Sequence, residues 1–150
     1  MKDSRIGTYG TLVLIVVLAL KGAALMPLDH MSVVRVLIAG HAGARLAAVL
    51  TLWALPYAGN GVAKVARTPS RMTHGEVGVA LLFGVVPGLL VLRPATFLIS
   101  LIFASVAAAL LALYSMRRIG GYTGDVLGAV EQVFETVFFA FAAAVIAGPG

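Results

Sequence analysis

The stretch ATFLISLIFASVAAALLALY, residues 95–114, runs for 20 residues without a charged side chain. A helix needs about 20 apolar residues to cross the hydrocarbon core of a bilayer. Four more apolar stretches flank it, at residues 9–28, 33–55, 77–92 and 126–147. Their apolar runs are continuous rather than alternating, which favours helices over the strands of a barrel. The sequence therefore predicts an all-α, polytopic transmembrane helix bundle of about five spans, folded as a single membrane domain over residues 1–150.

The overall composition agrees with this class. The 150 residues are 61% hydrophobic and 11% charged, whereas soluble domains carry about 25% charged residues. The absence of cysteine excludes disulfides, thiolate metal sites and a thiol nucleophile. The net charge of +5 comes from lysines and arginines scattered among the apolar runs. We therefore expect the lipid bilayer, and not a nucleic acid, as the partner of these charges.

The run at residues 77–92 is the weakest of the five. Its 16 residues reach only about 24 Å of a roughly 30 Å hydrocarbon core. It also contains the step Pro87-Gly88, and proline removes a helical hydrogen bond. The pattern predicts a short or broken third span.

Positive charge between the runs indicates the orientation. Seven lysines and arginines lie in residues 1–10, 56–76 and 115–125, and Arg93 alone lies on the other side. The positive-inside rule makes the seven-charge face cytoplasmic. We expect a multi-pass protein of the bacterial cytoplasmic (inner) membrane, with Asp3 and Asp125 on the cytoplasmic face.

The segment KDSRIGTYG, residues 2–10, places a carboxylate, a guanidinium and two hydroxyls just before the first run. Arg5 and backbone N–H groups suit a phosphate, and Asp3 suits a metal ion. The alternative is a flanking segment that anchors at head groups and caps the helix.

A second polar segment, GGYTGD at residues 120–125, opens the last run. Glycine lets the backbone approach a ligand closely, and a helix N-terminus offers free N–H donors. Asp125 could bind a hard cation that bridges phosphate oxygens. The alternative is a glycine-rich turn in which Thr123 or Asp125 caps the helix.

Two pairs of ionisable residues lie inside the runs, each pair four residues apart. Glu131 and Glu135 are costly in a span unless they pair or line a wet cavity. His41 and Arg45 either bind an anionic group or neutralise Glu131 or Glu135, and both interpretations stay open. Lys21 lies near the end of its run, and we expect it to snorkel towards the membrane surface.

Small and aromatic residues add two structural expectations. Gly40, Ala44 and Ala48 recur at a spacing of four, which predicts a close helix contact. Trp53 and Tyr57 fit an interfacial aromatic belt, so no function is assigned to them.

Four segments together resemble a known family. Residues 1–10 (MKDSRIGTYG) and 120–129 (GGYTGDVLGA) are similar to two signature stretches of the cobalamin synthase family, the membrane-bound adenosylcobinamide-GDP ribazoletransferases. Residues 40–45 (GHAGAR) resemble its His-Ala-x-Ser-Arg stretch, and residues 56–58 (PYA) its Pro-Tyr-Ala-Arg loop. The order and approximate spacing of these segments agree over the whole chain.

The resemblance implies an activity late in cobalamin (vitamin B12) biosynthesis. Such enzymes transfer adenosylcobinamide phosphate from adenosylcobinamide-GDP to α-ribazole or its 5′-phosphate, release GMP and use Mg²⁺. Carried over by position, Asp3, Asp125 and Arg5 are the expected catalytic residues, with Asp3 and Asp125 as metal ligands. The expected substrate-binding residues are Thr8, His41, Arg45, Thr123 and Gly124.

The sequence also departs from that family. The chain resembles its C-terminal three-fifths and contains no D-x-x-D segment, whereas the family carries an acidic Asp-Gly-x-x-Asp-x-x-Asp-Gly motif further upstream. Gly59 and Ala44 replace the family's arginine and serine. We therefore expect a fragment, split gene or alternative start that is inactive alone and needs a missing N-terminal segment or another subunit. The alternatives are a small membrane transporter, a non-catalytic membrane subunit and a truncated pseudo-enzyme.

Overall fold

The computed structural model describes residues 8–58 and 72–148, except the side chain of Tyr9. Within those ranges the chain forms five helices and no strand. They are α1 (Thr8–Leu25), α2 (His30–Ala54), α3 (His74–Val91), α4 (Pro94–Ile119) and α5 (Gly124–Ala147). The all-α prediction is confirmed, and each helix begins and ends within a few residues of its apolar run.

Local sequence signals account for the helix ends. Asp29 caps α2 by accepting hydrogen bonds from the backbone N–H groups of Met31 and Ser32. Hydrogen bonds to its carboxylate, above all from the Ser32 hydroxyl, lower the pKa of Asp29. Thr73 and Glu76 form a reciprocal capping box at the start of α3. Gly120 ends α4 in the left-handed conformation, with a φ of 76°.

In the part of the chain that the structure describes, four helices, α2 to α5, are long and apolar enough to cross a membrane, and the apolar segment of α1 is shorter. Large apolar side chains such as Leu90, Leu110 and Phe83 are exposed on their outer surfaces. A soluble protein buries most of its large apolar side chains, whereas an outer surface covered with them fits a multi-pass membrane bundle.

The third span is short rather than broken, which agrees with one of the two predicted alternatives. α3 continues through Pro87 as one helix of 18 residues. Proline is tolerated inside such a helix when neighbouring helices support it. Gly84 lies against Leu46 of α2, and Gly88 lies against Phe97 of α4. These close contacts hold α3 on both sides of the proline.

Helix α5 lies at the centre of the bundle, packed against α1, α2 and α4. Its buried side chains Phe134, Phe138 and Phe139 form the core together with Phe97. Gly40 lies against Phe139, and a Cβ atom at Gly43 would lie 2.7 Å from the Phe134 ring. The predicted close contact at Gly40, Ala44 and Ala48 is confirmed, since all three residues are buried.

Candidate functional site

The loops that follow α2 and α4 are joined at one end of the bundle. Tyr122 donates its backbone N–H to the Pro56 carbonyl at 2.9 Å, and the N–H of Ala58 donates to the Tyr122 carbonyl at 2.8 Å. The Tyr57 and Tyr122 rings meet edge to face at 5.5 Å. We call this end, where α2 and α4 end and α3 and α5 begin, the Tyr122 end.

Gly121 makes this junction possible. Its φ is 158°, and a Cβ atom there would collide with the Pro56 carbonyl oxygen. Its own carbonyl accepts a hydrogen bond of 2.5 Å from the Ser115 hydroxyl. The junction also buries the Tyr122 side chain, and this burial, aided by the nearby Tyr57, raises the pKa of Tyr122.

The N-terminus of α5 opens directly from this junction. Thr123 is the N-cap, and its hydroxyl accepts the N–H of Val126 at 3.3 Å. The first turn carries Gly124 and Asp125, both exposed. A Cβ atom at Gly124 would meet nothing within 4 Å. The cap interpretation of Thr123 is therefore confirmed, while Gly124 and Asp125 remain accessible to a ligand.

A polar cluster lies deeper in the bundle. Lys21 of α1 donates to the Gln132 side chain at 2.6 Å and to the Glu135 carboxylate at 2.5 Å. The other oxygen of Glu135 lies 2.7 Å from Nδ1 of His41. The Glu135 side chain is only 9% exposed, so these contacts replace water around its carboxylate.

Arg45 extends the cluster by one helical turn. Its guanidinium contacts the Glu131 carboxylate at 2.7 Å. Each intramembrane carboxylate thus has a cationic or imidazole partner on a neighbouring helix, which confirms the predicted pairing. We define the polar cluster as Lys21, His41, Arg45, Glu131, Gln132 and Glu135.

The structure separates the predicted site residues into two groups. Thr123, Gly124 and Asp125 are at the Tyr122 end. His41 and Arg45 contact Glu135 and Glu131. These two carboxylates lie ten and six residues after Asp125 on α5, a rise along the helix of about 9 to 15 Å. Because α1 turns into α2 and α2 runs antiparallel to α5, Thr8 also begins its helix at the Tyr122 end. Asp3 and Arg5 lie outside the described residues.

The structure corrects the predictions for two residues. Lys21 does not snorkel, because its ammonium is held inward by Gln132 and Glu135. Tyr57 is more than a belt residue, since it forms half of the junction with Tyr122. The position of Lys21 inside an apolar run was the available signal for a buried partner, whereas no sequence signal marked Gln132.

The described carboxylates do not form a complete metal centre. Within residues 8–58 and 72–148, no three His, Cys, Asp or Glu side chains come together as a metal site. Asp125 supplies one exposed hard oxygen donor at the Tyr122 end. Mg²⁺ commonly takes one or two protein carboxylates and completes its shell with water and substrate phosphates. Asp125 therefore fits as one ligand of such an ion and not as a complete site.

Comparison with known proteins identifies the family. Residues 1–143 match the family model described as cobalamin-5-phosphate synthase. The chain belongs to this family. No solved structure matches the chain.

Relatives from several bacteria agree with this assignment. The chain is 38% identical over 146 residues to the adenosylcobinamide-GDP ribazoletransferase of Bradyrhizobium diazoefficiens, covering 96% of this chain and 55% of that protein. It is 40% identical over 146 residues to the protein of that name from Leptothrix cholodnii, covering 90% and 54%. For the Chlorobium phaeovibrioides protein of that name, the figures are 37% over 139 residues, 90% and 55%. The chain spans about half the length of the curated relatives it matches.

Proposed function

We propose that the chain forms the C-terminal part of an adenosylcobinamide-GDP ribazoletransferase and contributes to the last steps of cobalamin biosynthesis. The family match over residues 1–143 is the observation that carries the proposal. The relatives do not support the alternative of a transporter, because their names are those of transferases.

The proposed reaction is a transfer of adenosylcobinamide phosphate. A hydroxyl oxygen of α-ribazole attacks the phosphorus attached to the cobinamide side chain and forms a new P–O bond. The bond from that phosphorus to the bridging oxygen breaks, and GMP leaves with the oxygen. The proton of the attacking hydroxyl is released to solvent or to the leaving phosphate.

The Tyr122 end offers the groups that such a reaction needs. The open first turn of α5 presents backbone N–H groups at Gly124 and Asp125 and the positive end of the helix dipole towards a diphosphate. The junction of Tyr57 and Tyr122 anchors the loop that leads into this turn. When Mg²⁺ is bound, Asp125 would be one of its ligands, and the ion would neutralise charge on the phosphates. Asp3 and Arg5 are proposed to complete the site.

The polar cluster has a supporting role in this proposal. Its carboxylates are already engaged by Lys21, His41 and Arg45. Arg45 is nevertheless 78% exposed and His41 58% exposed. We propose that these two side chains bind an anionic group of the substrate. We assign the carboxylates of the cluster to helix pairing. The remaining length found in the relatives, in a further segment or another subunit, is proposed to complete the enzyme on the cytoplasmic face of the inner membrane.

Reconstitution tests this function. The chain is expressed in membranes with and without the part of the Bradyrhizobium diazoefficiens protein that it does not match, and GMP release from adenosylcobinamide-GDP is measured. With that part present, we expect GMP release that requires both α-ribazole and Mg²⁺ and that stops on chelation.

The complete relative is the positive control for the assay. We expect no GMP release from the chain alone, because the described residues place only one free carboxylate at the Tyr122 end. Absence of turnover in the reconstituted membranes, while the complete relative is active, contradicts the proposal. GMP release without α-ribazole would indicate hydrolysis and contradict it as well.

A further inference from the structure

A crevice of about 390 Å³ runs between α2 and α4, outside the polar cluster and the Tyr122 junction. One wall comes from α2 between Gly43 and Leu55, the other from α4 between Leu101 and Leu113, and Phe134 of α5 forms the floor. α3 packs closely on α2 but touches α4 only sparsely. The crevice is therefore open on the outer, apolar surface of the bundle.

The dimensions of the crevice limit what it can hold. Each wall spans twelve residue steps, which is about 18 Å of helix. The crevice is long enough to hold one extended hydrocarbon chain along its axis.

Its length and polarity also match a lipid chain. One leaflet contributes about 15 Å of hydrocarbon, half of a roughly 30 Å core. The walls are almost entirely apolar, and the Thr51 hydroxyl is already bonded to the Ala47 carbonyl at 2.8 Å. Water would find few partners there.

A cationic residue lies one helical turn beyond the crevice on α4. Arg117 follows the lining residue Leu113 by one turn of α4 and is exposed at the Tyr122 end. The neighbouring Arg118 is directed elsewhere, with its guanidinium 5.5 Å from the centre of the Tyr114 ring. Basic residues at a membrane surface attract anionic head groups.

We propose that this crevice is a binding site for one anionic phospholipid. An acyl chain occupies the space between α2 and α4, and the head-group phosphate is bound by Arg117. The occupied crevice joins α2 to α4, two helices that otherwise share few contacts. This proposal does not depend on the transferase activity.

Native mass spectrometry tests the site. The complete chain is reconstituted in nanodiscs of equal parts phosphatidylglycerol and phosphatidylcholine, released into mild detergent and weighed. We expect one phosphatidylglycerol retained per chain. Ala109→Phe fills the crevice from an exposed wall position and should lower this occupancy at least tenfold. Val106→Phe adds a ring to the same helix outside the crevice and should retain the lipid.

The head-group contact has its own matched pair. Arg117→Gln should abolish the preference for phosphatidylglycerol over phosphatidylcholine, whereas Arg118→Gln should leave it unchanged. Equal lipid retention by Ala109→Phe and Val106→Phe, or no retained lipid in the unaltered chain, overturns the proposal.

A competition on the unaltered chain keeps the test independent of folding of the variants. Long-chain phosphatidylglycerol should displace the retained lipid. Short-chain phosphatidylglycerol, which shares the head group, should not. Equal displacement by both overturns the acyl-chain site.

Discussion

The polar cluster and the Tyr122 end differ in what their carboxylates contact. In the cluster, Glu131 and Glu135 are engaged by side chains of neighbouring helices. At the Tyr122 end, Asp125 is exposed on the first turn of α5, and the described part of the chain gives it no hydrogen bond or ion pair. An intramembrane carboxylate is costly unless it has a partner, whereas an exposed carboxylate at the end of the bundle needs no protein partner and is free to bind a ligand. The comparison assigns helix pairing to the carboxylates of the cluster and metal binding to the carboxylate at the Tyr122 end.

Removal of Glu135 should produce the largest loss of stability. Glu135→Ala leaves the Lys21 ammonium without its counter-charge and His41 without its carboxylate partner, and losing one partner of a buried ion pair costs about 3 to 5 kcal/mol. We expect this loss in detergent-induced unfolding followed by the fluorescence of Trp53, the single tryptophan.

Two variants serve as controls for Glu135→Ala. Glu135→Gln keeps an oxygen acceptor for Lys21 and should lose less. The double change Lys21→Met with Glu135→Met removes both charges and should be more stable than Glu135→Ala. If the three variants unfold alike, the cluster does not pair these charges.

Gly121 tests the Tyr122 junction in the same way. Gly121→Ala forces a methyl group against the Pro56 carbonyl, and such overpacking costs about 1 to 3 kcal/mol. Gly128→Ala on α5 is the matched control, because a Cβ atom there meets nothing within 4 Å. Equal stability of the two variants in the same unfolding assay would show that the junction does not hold the two loops together.

The pair of Arg45 and Glu131 should show a smaller, measurable coupling. A double-mutant cycle with Arg45→Met and Glu131→Gln should give about 0.6 to 1.7 kcal/mol, as for polar contacts between membrane helices. The double variant should therefore be more stable than the sum of the single losses predicts. Additive losses would show that the contact contributes nothing.

The smallest expected effect is a loss of stability at high pH, when the Tyr122 hydroxyl at the junction is deprotonated. Because burial raises the pKa of Tyr122 above its ordinary value of 10.0, its contribution to stability is complete below that value. The contribution is lost as the pH rises through the pKa of the folded protein. Tyrosinate absorbance should lose its highest-pH component in Tyr122→Phe but not in Tyr114→Phe, which removes an exposed ring. Loss of the same component from both variants would contradict burial as the cause.

Sequence patterns predicted the helices well, because apolar length and capping residues are local properties. The 95–114 run gave α4, although the helix continues to Ile119 past Arg117 and Arg118, since leaving an apolar layer does not end a helix. The sequence left a short and a broken third span open, because the support that Leu46 and Phe97 give on either side of Pro87 is tertiary.

The candidate site was predictable only in part. The spacing of Glu131 and Glu135 indicated pairing, and the structure supplies the partners. The role of Lys21 and the contact between Tyr57 and Tyr122 join residues far apart in the chain. No local pattern contains such a contact. The expected roles of Asp3 and Arg5 stay predictions.

The turnover of Asp125→Asn in the reconstituted enzyme tests the central claim most directly. Asparagine keeps the shape of the side chain but removes the charge that a hard cation needs. Losing several kcal/mol of transition-state stabilisation corresponds to a fall in kcat of about a hundredfold or more. Insertion into the membrane should be unchanged, and Asp29→Asn, which keeps a cap at the opposite end of the bundle, should retain full turnover. Normal turnover by Asp125→Asn would contradict the account and leave the Tyr122 end with a purely structural role.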